Sequence, residues 1–293
     1  MAIDPKIIAT PGKKINLKKF KTGYTGKFKS KKEAEKKLEK DIKSMQKLQD
    51  MLYAHDKYSL LLIFQAMDAA GKDGTIKHVM SGVNPQGCQI FNFKKPSAEE
   101  LDHDYLWRIY KCLPERGRIG IFNRSYYEEV LIAKVHPEVL LNQQLPGIDS
   151  VEKVNRVFWK KRYDQLNNLE QHLHDNGTIV LKFFLNVSSD EQKRRFLSRI
   201  DDPDKNWKFT INDITERKHW DKYQKAFEDC FTNTSTKIAP WYIIPADNKW
   251  YMRTVVGDII VRTLKSLPLK YPKVGPAKLE ELKKAKALLV SEK

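Results

Sequence analysis

The stretch Ala66-Met67-Asp68-Ala69-Ala70-Gly71-Lys72-Asp73-Gly74 carries the residue types best suited to chemistry. It lies between an apolar run, Ser59-Leu60-Leu61-Leu62-Ile63-Phe64, and a helix-like stretch, Thr75-Ile76-Lys77-His78-Val79-Met80. Strand, small-residue loop ending in Gly-Lys, then helix is the layout of a phosphate-binding loop, whose backbone N–H groups and helix N-terminus cradle an anion. Ala69, Ala70, Gly71, Lys72, Asp73 and Gly74 are therefore the expected phosphate-binding residues. A lysine at a helix N-terminus opposes the dipole, so Lys72 needs an anion to offset it.

Two positions depart from the pattern G-x-x-x-x-G-K-[ST]. Ala66 stands where the first glycine belongs, and Asp73 replaces the hydroxyl that normally holds magnesium. Asp68 puts a carboxylate inside an anion cradle, where two like charges at ~4 Å cost ~4 kcal/mol at an effective dielectric of ~20. A divalent cation between them removes the conflict. Oxygen ligands suit Mg²⁺, with Mn²⁺ as a substitute, so Asp68 is the expected metal ligand. Asp68 could instead orient or deprotonate an attacking phosphate oxygen, or serve only as a turn residue, and Asp73 could simply cap the helix.

A second constellation, Asn123-Arg124-Ser125-Tyr126-Tyr127-Glu128-Glu129, follows another apolar run. Asn123 occupies the place of an acidic metal ligand, Arg124 has the fork that clamps phosphate oxygens, and Glu128 or Glu129 could hold a second metal or a nucleotide group. Both glutamates could equally be surface residues. A third group, Arg194, Arg195 and Arg199, reads as cations brought down on a phosphoryl group in transfer; positions 195 and 199 share a helical face. Lys208 and Lys218 are weaker candidates of the same kind, and Trp207 and Trp220 read as packing residues.

Positioning these groups requires strands that end where they begin. Residues 59–64, 89–93, 118–122, 178–185 and 241–244 read as five strands alternating with helices, which implies a mostly parallel sheet covered on both faces. Helices are expected over 97–112, 125–134 and 151–174, and a long amphipathic one follows the capping pair Ser30 and Glu33. Residues 188–237 read as a helix–break–helix lid. The expected organisation is a basic arm at 1–29, a kinase-like domain at 30–267 and a lysine-rich, peripheral tail at 268–293.

The net charge is +17, and nine lysines without an acid fill Lys13 to Lys32. Such an excess favours a long polyanion over a small nucleotide alone, and the arm reads as a flexible segment or an anion-steering tether. Three widely spaced cysteines and no H-E-x-x-H disfavour a disulfide framework or a zinc site. No apolar stretch is long enough for a membrane span or typical of a signal peptide, and a cytoplasmic location is expected.

The loop resembles the modified phosphate-binding loop of the family-2 polyphosphate kinases. Phe122-Asn123-Arg124-Ser125-Tyr126-Tyr127-Glu128 is similar to their second motif, in the form of the subgroup that handles both AMP and ADP; many relatives have Asp in place of Asn123. Arg195-Phe196-Leu197-Ser198-Arg199-Ile200-Asp201-Asp202-Pro203, with Lys205-Asn206-Trp207-Lys208, resembles their lid, and Ala239 to Ala246 their last core strand. The resemblance implies a three-layer α/β P-loop kinase fold of thymidylate-kinase type and Mg²⁺-dependent phosphoryl transfer between inorganic polyphosphate and AMP, ADP or ATP, in a homodimer or homotetramer. It implies a site of Asp68, Lys72, Asn123, Arg124 and Glu128, with Arg194, Arg195 and Arg199 from the lid; Asn123, Arg124 and Glu128 are its expected nucleotide-binding residues. The alternatives are an ATP-dependent nucleotide kinase and a basic nucleic-acid-binding protein with a degenerate loop; nucleic acid is the less favoured partner.

Overall fold

In a computed structural model, which describes residues 3–292, the apolar run becomes the central strand. In chain order the first elements are β1 (Ile8–Ala9), α1 (Lys31–His55), β2 (Ser59–Ala66), α2 (Lys72–Val79) and β3 (Cys88–Asn92). Short helices α3 (Ala98–Leu101) and α4 (Trp107–Tyr110) lead to β4 (Ile119–Asn123) and α5 (Ile132–Val135). Then come α6 (Arg156–Asp175), β5 (Thr178–Asn186), α7 (Ser189–Ile200), α8 (Ile211–Arg217) and α9 (Trp220–Thr234). The chain closes with β6 (Trp241–Pro245), α10 (Lys249–Ser266) and α11 (Pro276–Ser291).

The sheet order is β1-β6-β5-β2-β4-β3. β2 is buried from Ser59 to Gln65 because it pairs in parallel with β5 on one side and β4 on the other. A strand covered on both faces has no polar side, which explains its unbroken apolar sequence. On one face α1 packs on α10, which packs on α2; on the other α6 lies on β5 and against α9. The three layers expected from the alternation of strands and helices are present. The crossover after β2 leads to β3 on one side of the sheet and that after β4 leads to β5 on the other, so the carboxyl ends of β2 and β4 flank a topological switch point, where ligands of such sheets bind.

Four expectations need correction. The sheet has six strands, because Ile8 and Ala9 pair antiparallel with Tyr242 and Trp241. The basic arm is accordingly fixed on the body, with Ile7, Ala9, Ile15 and Leu17 all buried. Its backbone N–H groups at Ile15 and Leu17 donate to Thr232 Oγ1 (2.9 Å) and Glu228 Oε1 (2.8 Å) of α9. That helix is core and not lid: Ala226, Phe227, Cys230 and Phe231 are buried, with Phe227 and Phe231 against Phe184 of β5. The exposed part of the expected lid ends near α8. Finally, the stretches 97–112 and 125–134 are broken: α3 and α4 are separate, and Tyr126–Val130 is a 3₁₀ segment before α5.

Candidate active site

Ala66 is the last residue of β2 and pairs with Leu185, so a Cβ is accommodated there as in any strand. The left-handed backbone falls later, at Ala69 (φ 59°) and Gly71 (φ 104°). The missing first glycine therefore costs the loop nothing, whereas Ala69 holds a conformation that disfavours a side chain by ~1–2 kcal/mol. Thr75 Oγ1 donates to the Gly71 carbonyl at 2.9 Å, closing the first turn of α2.

Lys72 lies half-buried at the start of α2, with Nζ 3.3 Å from the Ala66 carbonyl. Burial pushes its ammonium below the ordinary lysine value; the nearby Asp68, Glu128 and Asp73 oppose that shift, and Arg124 adds to it. Arg124 follows β4 with φ 64°, its N–H donating to the Phe64 carbonyl at 3.0 Å. This left-handed kink lets Arg124 Nη2 meet Asp68 Oδ1 at 3.3 Å. Burial works to lower the Arg124 pKa, but Glu128 and Asp68 carry it above its usual value. Burial pushes the Glu128 carboxyl up, against the pull of Arg124, Lys72 and a hydrogen bond from Gln65. Asp68, Lys72, Arg124 and Glu128, spread over the sequence, thus form one electrostatic cluster.

Asn123 ends β4, paired in register with Phe64 and Asn92. Its Nδ2 donates to Asp73 Oδ1 (2.8 Å) and Asn92 Oδ1 (2.7 Å), while its Oδ1 is buried without a partner. The Asp73 carboxylate thus orients Asn123, while the N-cap residue of α2 is Gly71, which has no side chain to cap with. Among the described residues no group of three or more His, Cys, Asp or Glu side chains could hold a metal. The donors present near the loop, the Asp68 carboxylate and the orphaned Asn123 oxygen, fit a cation such as Mg²⁺, which takes one or two protein ligands and completes its shell with substrate and water.

The lid cations diverge. Arg195 is buried at 7% exposure and turned beneath the loop, contrary to its expected place over the substrate. Its Nη1 donates to the carbonyls of Ala69 (3.2 Å) and Ala70 (2.6 Å) and its Nη2 to those of Ala246 (2.6 Å) and Asp247 (3.3 Å), with Nε on Glu191 (2.7 Å). Every donor-bearing nitrogen is committed, so Arg195 supports the loop rather than clamping a phosphate. Arg194 is exposed and forks onto Glu191; Arg199 is half-exposed, 5.8 Å from the Phe196 ring centre; Lys208 is exposed over the Trp207 ring. None of these three contacts the loop. Trp207, expected to pack, is 73% exposed. Glu129 is neither a surface residue nor part of the cluster, being buried against Arg162 and Gln143.

Several contributors escaped the sequence reading. Gln192 Nε2 donates to the Asp68 carbonyl at 2.9 Å and is held in turn by Arg217. From α10, Arg253 stands beside Gly74, 3.7 Å from where a Cβ would lie, with Nε buried and unpartnered. Burial lowers the Lys249 pKa, and the neighbouring Arg195, Arg253 and Arg194 lower it further. Their signal was position, since Lys249 begins the helix directly after the carboxyl end of β6.

Over residues 28–271 the sequence matches Polyphosphate kinase 2. The chain belongs to that family. It is 52% identical over 271 residues, 92% of this chain and 93% of its relative, to the ADP-polyphosphate phosphotransferase of Rhodopseudomonas palustris. It is 42% identical over 263 residues, 89% of this chain and 93% of the other, to the AMP/ADP-polyphosphate phosphotransferase of Meiothermus ruber. The crystal structure of Polyphosphate Kinase 2 from Arthrobacter aurescens TC1 superposes with a TM-score of 0.85 at 35% identity, covering 100% of both chains. Within this polyphosphate kinase 2 chain the phosphate-binding-loop fold is therefore shared along the whole described length, and the site lies in its matched region.

Proposed function

We propose that this chain transfers a phosphoryl group between inorganic polyphosphate and an adenine nucleotide, AMP or ADP, reversibly. The observation that carries the reading is the meeting of Arg124 with Asp68 beside Lys72, at the carboxyl ends of β2 and β4, in a member of a polyphosphate kinase family. A second support is the crowding of cations around Lys249, among them Arg253, which stands beside Gly74 of the loop, like charges that a polyanion would relieve.

In the forward direction a terminal phosphate oxygen of the nucleotide forms a new P–O bond to the last phosphorus of the chain. The bond from that phosphorus to the bridging oxygen breaks, and the shortened polyphosphate leaves with the electron pair. No covalent enzyme intermediate is needed; positioning and charge neutralisation suffice. The loop N–H groups and Lys72 hold the transferring group. Arg124 clamps the oxygens of the nucleotide, and Asp68 keeps Arg124 aimed. Mg²⁺, held through Asp68 and the free Asn123 oxygen, would supply charge neutralisation between the two substrates. The same reading takes Arg199 and Lys208 to the site on lid closure, a homodimer or homotetramer as the assembly, and the cytoplasm as the location. Among the described residues no helix is long and apolar enough to cross a membrane.

Incubation with ADP, Mg²⁺ and polyphosphate should yield ATP, and with AMP in place of ADP should yield ADP. No product from polyphosphate, together with transfer from ATP to a nucleoside monophosphate, would overturn the reading in favour of an ATP-dependent nucleotide kinase.

A further inference from the structure

Beside β1, remote in sequence from the loop, a cleft of ≈ 550 Å³ is lined by Lys6, Lys13, Lys14, Lys19 and Lys21 together with Phe20 and Tyr24. Among the described residues no carboxylate forms an ion pair with Lys13, Lys14, Lys19 or Lys21. Of the acids nearby, Asp4 is engaged by the Lys6 N–H (2.9 Å) and the Tyr24 hydroxyl (2.8 Å), and Glu228 by the Leu17 N–H (2.8 Å). Lys37, by contrast, is paired with Asp41 and Asp258, and Lys134 with Asp229. The cleft is thus a concentration of uncompensated positive charge.

Its backbone is fixed. Ile7, Ala9, Ile15 and Leu17 are buried, Ser235 Oγ donates to the Ala9 carbonyl at 2.5 Å, and α9 accepts the N–H groups of Ile15 and Leu17. Lysines displayed on an ordered scaffold converge on a ligand at lower entropic cost than lysines on a flexible tail. The segment then crosses the carboxyl end of the sheet. The Phe20 carbonyl accepts from Asn186 Nδ2 (3.0 Å) and the Thr22 carbonyl from the Asp247 N–H (3.2 Å). Asp247 is also held by Arg195, which supports Ala70. β1 lies three strands from β2 in the sheet order, about 14 Å at ~4.8 Å per strand. A ligand reaching both places must be extended and anionic at both ends, as a long polyphosphate is.

We propose that this cleft is an accessory binding site for the distal part of a long inorganic polyphosphate whose terminal phosphate occupies the loop of Lys72. The proposal rests on the phosphotransferase reading above. The lysines of the cleft precede residue 28, where the match to the family begins, whereas Ile243 and Pro245 on its wall lie within that match. Bound there, a long donor is held at two places, and the second contact raises its effective concentration at the first.

The test compares long-chain polyphosphate with tripolyphosphate as donor to ADP, in the wild type and in K13Q/K14Q/K19Q/K21Q. These four side chains are exposed, so the variant should melt with the wild type. The KM for long-chain polyphosphate should rise at least about tenfold in the variant, about 1.4 kcal/mol, with a shallower dependence on salt. The KM for tripolyphosphate, the KM for ADP and kcat should not change. An unchanged long-chain KM, or an equal rise for both donors, overturns the accessory site while leaving the reaction intact. Loss of RNA binding in the variant with an unchanged long-chain KM assigns the cleft to nucleic acid and also overturns it. A wild type inactive with both donors overturns the phosphotransferase reading itself.

Discussion

Arg195 Nη1 donates to the Ala70 carbonyl at 2.6 Å from beneath the phosphate-binding loop. This arginine, one helical turn from Arg199, takes the opposite part: it holds the cradle's shape while Arg199 stays out on the lid. Charge-assisted hydrogen bonds to four carbonyls from one planar fork cannot be reproduced by an ammonium. Arg195→Ala should destabilise the fold by about 2–4 kcal/mol in urea titration, and Arg195→Lys should recover little of it. Arg194→Ala and Arg199→Ala should leave the unfolding midpoint within experimental error while lowering kcat. A stable Arg195→Ala with the kcat loss of Arg199→Ala would show that Arg195 acts on substrate instead.

The pairing of Asp68 with Arg124 makes a sharper prediction about the cluster. Asp68→Asn keeps the shape and removes the charge that both aims Arg124 and would hold a divalent cation. It should lower kcat by about 10²–10³, the range seen when one charge-stabilising group is lost from a preorganised site. Lys72→Ala should do at least as much. Circular dichroism and unfolding midpoint should stay near wild type in both, since neither side chain is part of the apolar core. Removing divalent cations with a chelator should abolish wild-type turnover, and added Mg²⁺ should restore it, with a weaker dependence in Asp68→Asn.

The depressed pKa of Lys72 gives a pH dependence with a definite sign. Burial holds its ammonium below 10.5, so the free enzyme loses this charge earlier on the alkaline side than a solvated lysine would. The kcat/KM for polyphosphate should therefore fall as pH rises, with a limb below that value. The kcat limb should lie higher, because bound phosphate favours the charged form. In Lys72→Arg the limb should move out of range, since guanidinium stays protonated. Stability runs the other way. A lysine with a lowered folded pKa binds fewer protons folded than unfolded, so its contribution to stability rises with pH between the folded value and 10.5. A matching limb in Lys72→Arg would assign the titration to another group.

How far the sequence leads depends on what each feature requires. β2, the loop and the helix after it were legible because a doubly covered strand must be apolar and a phosphate cradle must be small and end in Gly-Lys. Asp68, Lys72, Asn123, Arg124 and Glu128 were legible as candidates because each follows the carboxyl end of a strand or loop. The side to which a helical arginine turns was not legible: Arg195 and Arg199 share a face by spacing, yet differ in whether a loop lies within reach. Lys249 and Arg253 were passed over although they follow β6 as Lys72 follows β2. In the N-terminal segment the density of lysine concealed the apolar residues Ile7, Ala9, Ile15 and Leu17, which attach it to α9 and β6. The left-handed turns at Ala69 and Arg124 left no trace at all, since neither residue type favours them.

The buried pair Lys182 and Glu170 supports the site from behind. Lys182, on β5, has no exposed surface and donates to Glu170 Oε2 (2.6 Å), the Tyr127 hydroxyl (3.0 Å) and the Thr234 carbonyl (2.6 Å). Glu170 Oε1 accepts from the hydroxyls of Tyr126 (2.9 Å) and Tyr127 (2.6 Å), the residues that follow Arg124 and Ser125. All three ammonium donors are used, so the network is complete, and burial pulls the Lys182 pKa down against the pull of Glu170. Removing one member leaves a buried charge without its counter-ion, which costs about 3–5 kcal/mol. Lys182→Met should lose that much in urea titration. Lys182→Met with Glu170→Gln should be more stable than Lys182→Met alone, because a neutral amide oxygen still accepts from both tyrosines and no charge is stranded. Additive losses in the double variant would mean that the two residues contribute separately and that charge pairing does not hold this part of the core.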